Sequence, residues 1–186
     1  AELSANHNGS FELAKKTINA IKEAGADAVK LQTYTPDSLS LDLENAYIKK
    51  ICGGLWDGYK PYDLYKLAQT PWEWQPELAA YAISLGLDWL SSPFDNEAVD
   101  FLESINCPAY KIASYEITHI PLIEYAASKG KPMIISTGLA EIDDITLAID
   151  ACHRVGNNDV TLLKCTSQYP ANIEDANLST INDMRR

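Results

Sequence analysis

Residues 25–34 read Gly-Ala-Asp-Ala-Val-Lys-Leu-Gln-Thr-Tyr, and the fold class turns on the lysine in the middle of this run. Ala28–Thr33 has the β-branched and aliphatic character of a strand buried on both faces, as parallel strands in α/β proteins are. Strand alternation puts Ala28, Lys30 and Gln32 on one face and Val29 and Leu31 on the other. The apolar face suits a helix layer, and the Lys30 face then points into a barrel near its C-terminal mouth. Two further stretches repeat the pattern: Ala109-Tyr110-Lys111-Ile112-Ala113-Ser114 and Leu162-Leu163-Lys164-Cys165-Thr166-Ser167. A single such lysine could snorkel out from an edge strand; repetition across strands weakens that explanation.

Outward from Lys30, short β-rich runs alternate with helical patterns, the arrangement of an α/β fold with a parallel sheet. Six strands are expected: 1–5, 28–33, 88–92, 109–113, 133–136 and 160–166. Ser10 is a good N-cap for a first helix that ends at Gly25. Thr70-Pro71-Trp72-Glu73 reads as a capping box opening a helix that stops at Gly86. Asp95 caps a third helix, Pro121 opens a fourth, and a fifth runs from about Glu141 to Arg154. A (β/α)₈ barrel uses ~250 residues, roughly 31 per unit. At that rate residues 1–186 form a partial barrel domain of about six units. The second-to-third strand spacing is about twice a unit. Residues 34–69 are therefore an inserted loop, carrying Trp56, Tyr59, Tyr62 and Tyr65 and expected on the catalytic face. The alternative is a doubly wound open sheet, which usually carries a Gly-rich phosphate loop after its first strand. Asn6-His7-Asn8-Gly9-Ser10 is not that loop.

Composition narrows the function classes. The 186 residues are 46% hydrophobic and 22% charged, with a net charge of −11. That balance argues against nucleic-acid binding, and an anionic substrate must be drawn by local lysines. No apolar run reaches the ~18 residues of a membrane span, no signal peptide is visible, and the first residue is Ala1. Cys52, Cys107, Cys152 and Cys165 form no CxxC pair and read as reduced core residues of a cytoplasmic protein. His7, His119 and His153 lack metal-site spacing. His7, following the first strand, is the one of passing interest.

Hydroxyl residues close four strands: Ser91-Ser92, Ser114, Ser136-Thr137 and Thr166-Ser167. Singly, each could merely end a strand. Together, beside the inward Lys30 and Lys111, they make a site for a phosphate or carboxylate. Glu2 lies in the expected first strand, where an acid needs a partner. Glu116 follows Lys111 and Ser114 on a βα loop. Gln32 and Tyr169 could meet a polyol.

Six segments in order, AELSANHNGS, GADAVKLQTY, SSPFD, PAYKIASYEI, KPMIISTG and LLKCTSQYP, resemble the sialic acid synthase family over essentially the whole chain. WDGYKPYDLY and TPWEW resemble its pseudaminic acid subgroup. The resemblance implies a (β/α)₈ barrel that condenses phosphoenolpyruvate with an N-acetylated amino-sugar aldehyde. The product is a nine-carbon 2-keto acid, and phosphate is released. It implies phosphoenolpyruvate-binding residues at Lys30, Ser92, Lys111, Ser114, Ser136 and Ser167. It implies catalytic roles for Glu2, Lys30 and Lys111, and sugar contacts at Gln32, Glu116 and Tyr169. Two positions depart from the usual family pattern, which has Thr at Ser92 and Asn at Ser167; Ser has the shorter reach. The family's divalent metal, manganese or magnesium, is held by two histidines past Arg186, so no metal ligand is expected within this chain. A C-terminal antifreeze-like domain and a homodimer are also implied for the full-length protein, and this stretch alone is expected to be inactive. The alternatives are an N-acetylneuraminate or legionaminate synthase, a Schiff-base aldolase using Lys30, Lys111 or Lys164, an inactive barrel remnant, and a sugar-binding module.

Overall fold

Ser10 starts the first helix as its residue type predicts. In the computed structural model its Oγ accepts the Leu13 N–H at 3.2 Å and α1 spans Phe11–Glu23. Lys22 in the last turn complements the helix dipole, and Gly25, at φ +86°, turns the chain out of the helix. The structure describes residues 1–43, 45, 47–54, 56–168 and 170–185. They form two compact units, 1–98 and 99–186.

In the first unit, β1 (Ala28–Thr33) pairs in parallel with β2 (Asp88–Pro93), with Leu31 opposite Ser91 and Gln32 opposite Ser92. Val29, Leu31 and Thr33 are buried while Lys30 and Gln32 are only half-buried, so the expected alternation holds. Helix α4 (Gln75–Ser84) packs on β2 and on α1. Its Gln75 identifies the helix-facing side of the sheet. Thr33 Oγ1 donates to Gln75 Oε1 at 2.8 Å and shares a hydrogen bond with Ser91 Oγ at 2.7 Å, all three residues being buried. Lys30, Gln32 and Ser92 lie on the opposite side.

Two expectations need correction. Residues 1–5 do not make a full strand. Glu2 forms a single parallel bridge to Lys30, flanked by Leu3 N–H to Lys30 O at 3.1 Å and Lys30 N–H to Ala1 O at 2.8 Å. The chain then turns, with Ser4 at φ +49° and Asn8 at φ +46°. Five strands are thus found among the described residues, not six. Thr70 also does not cap the next helix. Trp72–Trp74 is a 3₁₀ turn with no side-chain cap, and α4 begins at Gln75 with Pro76 in its first turn. Proline lacks the N–H an α-helix interior needs but fits its start.

Among the described residues, the insertion at 34–69 contains two short helices, α2 (Pro36–Leu39) and α3 (Pro61–Ala68). Tyr65 stacks edge-on against buried Tyr34 at 6.1 Å, and Tyr62 donates to Asp37 at 3.2 Å. Trp56 and Tyr59 remain exposed.

The boundary between the units falls inside α5 (Asn96–Ser104), where Asp95 accepts the Ala98 N–H at 2.7 Å as expected. In the second unit β3 (Tyr110–Ile112), β4 (Met133–Ser136) and β5 (Val160–Leu163) pair in parallel, alternating with α6 (Ile120–Ala127) and α7 (Ile142–Arg154). A short α8 covers Thr180–Met184. Leu122, Ile123, Ile112, Met133, Ile135 and Ala148 are fully buried. No helix of the described residues is long and apolar enough to cross a membrane.

Asn157 ties this unit together. Its Nδ2 donates to Ala127 O at 3.0 Å and Lys131 O at 2.8 Å, and its Oδ1 accepts the Asp159 N–H at 3.0 Å. One buried amide thereby links the end of α6, the approach to β4 and the approach to β5. Asn157→Ala should cost about 2 kcal/mol, because it strips partners from buried backbone groups. Urea unfolding at neutral pH checks this.

Candidate active site

The sheet delivers Lys111 to the side of β4 that carries Ser136. Lys111 sits opposite Ile134 in the ladder, so alternation puts Ser136 on its face. The Lys111 Nζ donates to Ser136 Oγ and, at 2.9 Å, to Ile112 O. Lys111 is 8% exposed and Ser136 4%. Cys165, past the end of β5, donates its Sγ–H to the same Ser136 Oγ at 3.2 Å.

Gly138 organises the neighbouring hydroxyls. Its N–H donates to Ser114 Oγ at 3.2 Å. A Cβ at this position would collide with Ser167 Oγ, lie 2.9 Å from Ser114 Oγ and lie 3.2 Å from Cys165 Cβ. Gly138 is glycine for space, since Ser114, Ser167 and Cys165 all close on its Cα. Ser114 begins the 3₁₀ turn Ser114–Glu116. Glu116 Oε2 is buried with no hydrogen-bond partner among the described residues. Burial pushes the Glu116 carboxyl above its ordinary range, opposed by a hydrogen bond from its own backbone and by the Lys111 ammonium.

In the first unit the Lys30 ammonium meets Glu2 Oε1 at 2.6 Å. Glu2 is partly exposed, so this pair adds at most about 1 kcal/mol to stability; its use is to fix the direction of the lysine. Gln32 and Ser92 are register partners on the same face. Ser92 is 1% exposed.

Several expected site residues go elsewhere. Ser91 is bound into the Thr33–Gln75 network on the helix side. Thr137 Oγ1 donates to Leu163 O at 3.1 Å. Lys164 reaches Thr166 Oγ1 at 3.0 Å and Asp175 O at 3.1 Å, so it binds its own loop and does not join Lys111. Tyr169 lies outside the described residues. The cysteines are not uniformly core residues: Cys107 and Cys152 are buried, but Cys52 is exposed and Cys165 half-buried. No three His, Cys, Asp or Glu side chains cluster as a metal centre among the described residues.

Sequence reasoning gave His7 only passing interest and assigned Cys165 and Gly138 no role. Cys165 follows Lys164, and Gly138 follows the strand-end pair Ser136-Thr137; those positions were the available signal. His7 is fully buried, its ring edge-on to Trp74 at 5.7 Å. Its Nδ1 accepts the Gly9 N–H at 3.1 Å, so the proton sits on Nε2, which has no hydrogen-bond partner among the described residues. Burial holds its pKa below the ordinary 6.5; the Ala68 carbonyl opposes the shift without closing a hydrogen bond to Nε2. The folded state therefore resists protonation that the unfolded chain accepts. Stability should be intact above about pH 6.5 and decline as pH falls through the folded pKa. His7→Gln should flatten that decline in urea titrations across this window.

Residues 17–186 match the NeuB family. The chain is 54% identical over 179 residues to the pseudaminic acid synthase of Helicobacter pylori, spanning 96% of this chain and 52% of that protein. It is 38% identical to the N,N'-diacetyllegionaminic acid synthase of Legionella pneumophila, spanning 99% of this chain and 52% of that protein. Among solved structures, the N-acetylneuraminic acid synthetase of Leptospira borgpetersenii superposes with a TM-score of 0.85 at 29% identity, over 99% of this chain and 59% of that one. The chain thus spans about half the length of the curated relatives it matches. With a family match over nearly its whole length and an α/β architecture shared with a solved sugar acid synthase, the chain belongs to the NeuB family.

Proposed function

We propose that this chain is part of a (β/α)₈-barrel synthase that joins phosphoenolpyruvate to an N-acetylated amino-sugar aldehyde, with a pseudaminic acid precursor as the sugar. The observation that carries the reading is the buried Lys111 ammonium held against Ser136, with Ser114, Gly138 and Ser167 grouped beside them. A buried cation among hydroxyls and a backbone N–H suits a phosphate or carboxylate. The preference for pseudaminic acid over N-acetylneuraminate or legionaminate rests on the 54% identity to the Helicobacter enzyme, against 38% to the legionaminic acid synthase.

In the second unit we assign phosphoenolpyruvate binding to Lys111, Ser114, Ser136 and Ser167. In the first we assign it to Lys30 and Ser92. Glu2 directs Lys30 and is available for proton handling, while Gln32, Glu116 and Tyr169 are assigned to the sugar. In the proposed reaction C3 of phosphoenolpyruvate attacks the aldehyde carbon, water adds at C2, and the C2–O bond to phosphate breaks. The lysines balance the negative charge of the phosphate and carboxylate groups. Burial raises the Glu116 pKa, which favours its protonated form as a donor to a sugar oxygen. A divalent metal, manganese or magnesium, belongs to the proposal as a Lewis acid; the described residues supply no cluster for it. A cytoplasmic homodimer completes the proposal.

The test supplies the protein as expressed from its gene with phosphoenolpyruvate, manganese and a panel of N-acetylated amino-sugar aldehydes. Phosphate release that requires both substrates, with formation of a 2-keto acid, supports the reading. A borohydride-trapped adduct between pyruvate and a lysine would replace it with a Schiff-base aldolase.

A further inference from the structure

A serine hydroxyl has two acceptor lone pairs and one proton to donate. At Ser136 both acceptor positions are in use, one by the Lys111 ammonium and the other by the Cys165 thiol at 3.2 Å. Ser136 Oγ donates to no acceptor among the described residues. The two incoming protons leave its own O–H one direction, away from both donors. Ser136 is 4% exposed, so bulk water does not readily take that proton, and a buried donor with no acceptor is costly.

We infer that Cys165 is a positioning residue: its thiol occupies the second lone pair of Ser136 and turns the Ser136 hydroxyl into an obligate donor toward a bound anion. This deepens the reading of the Lys111–Ser136 cluster as an anion site and rests on it. Lys111 alone would leave the Ser136 proton a choice of two positions about the C–O bond. Adding the Cys165 donor removes that choice before the anion arrives, so less orientational freedom is lost on binding. The thiol fills the lone pair as a donor, and its sulfur, a weak acceptor, competes poorly with an anion for the Ser136 proton. Its placement is built in: Cys165 Cβ packs against the Gly138 Cα, at the position where any side chain on residue 138 would intrude.

The discriminating comparison is Cys165→Ala against Cys165→Ser in the protein as expressed from its gene. Isothermal titration with phosphoenolpyruvate, and separately with inorganic phosphate, reads the anion site. Steady-state kinetics split the two Michaelis constants. Cys165→Ala should weaken phosphoenolpyruvate about five- to tenfold, the worth of one hydrogen bond, with the Michaelis constant for the sugar within about twofold. Cys165→Ser, which restores an X–H donor, should recover most of the loss, and thermal melts report whether each variant is folded. If both variants bind phosphoenolpyruvate as the wild type does, or if Ser loses as much as Ala, the positioning role is wrong and Cys165 only packs. If Ala does not fold, Ser alone decides: near wild-type binding upholds the role and a tenfold loss overturns it. Failure of the wild type to bind either anion would instead remove the underlying anion-site reading, and this inference with it.

Discussion

Replacing Lys111 with Met should raise the Michaelis constant for phosphoenolpyruvate about 100-fold while leaving that for the amino sugar within a few-fold. The lysine is almost fully buried, and its ammonium donates to Ser136 and to the Ile112 carbonyl. A charge-assisted hydrogen bond to a phosphate or carboxylate in such a setting is worth about 2–3 kcal/mol. Met keeps most of the volume, so the loss reports the charge and its donors and not a cavity. Arginine should not rescue, because its planar fork cannot occupy the space of a point charge already ringed by Ser136 and Ile112. Equal effects on both substrates, or none, would show that the Lys111 cluster is not where phosphoenolpyruvate binds.

Gly138→Ala is the second large effect. The new methyl would strike Ser167 Oγ and press on Ser114 Oγ and Cys165 Cβ, so those groups must move by a substantial fraction of an ångström. Overpacking of this kind costs about 1–3 kcal/mol in stability. Misplacing site groups by about 1 Å can cost about 100-fold in catalytic efficiency. We expect a folded protein, by circular dichroism, with phosphoenolpyruvate affinity and kcat/KM both reduced on that scale. A variant with unchanged kinetics would mean that Ser114 and Ser167 relax without consequence, and would remove them from the proposed site.

Lys111 was visible in the sequence because a lysine inside a β-rich run is expensive to bury, and the period of two says which face it takes. The same rule placed Lys30 and Gln32 on one face, and the parallel register of β1 on β2 adds Ser92 opposite Gln32. Local chemistry likewise marked Ser10, Asp95, Pro121 and Glu141 as helix starts, since each acts within a few residues of itself. It failed at residues 70–76, where two prolines compete for the same helix start and Pro76 holds it. It failed again at residues 1–5, where strand character depends on a partner, and β1 supplies pairing for only a few residues before the turn at Ser4.

What the sequence determined by itself is the α/β alternation, the shared face of Lys30 and Gln32, and the membership of its segments in one family. These follow from periodicity and residue type along the chain. What only the tertiary structure decided is how hydroxyls that look alike in sequence divide their labour. Ser91 and Ser92 are neighbours, yet Ser91 is bound to Thr33 beside Gln75 on the helix side and Ser92 lies across the sheet. Ser136 is held from two sides by residues 25 positions before it and 29 after it. Gly138 must be glycine because of Ser167 and Ser114. Hydrogen bonds and steric limits of this kind join residues distant along the chain, so only folding brings the partners within reach and settles which hydroxyl is bound into the scaffold.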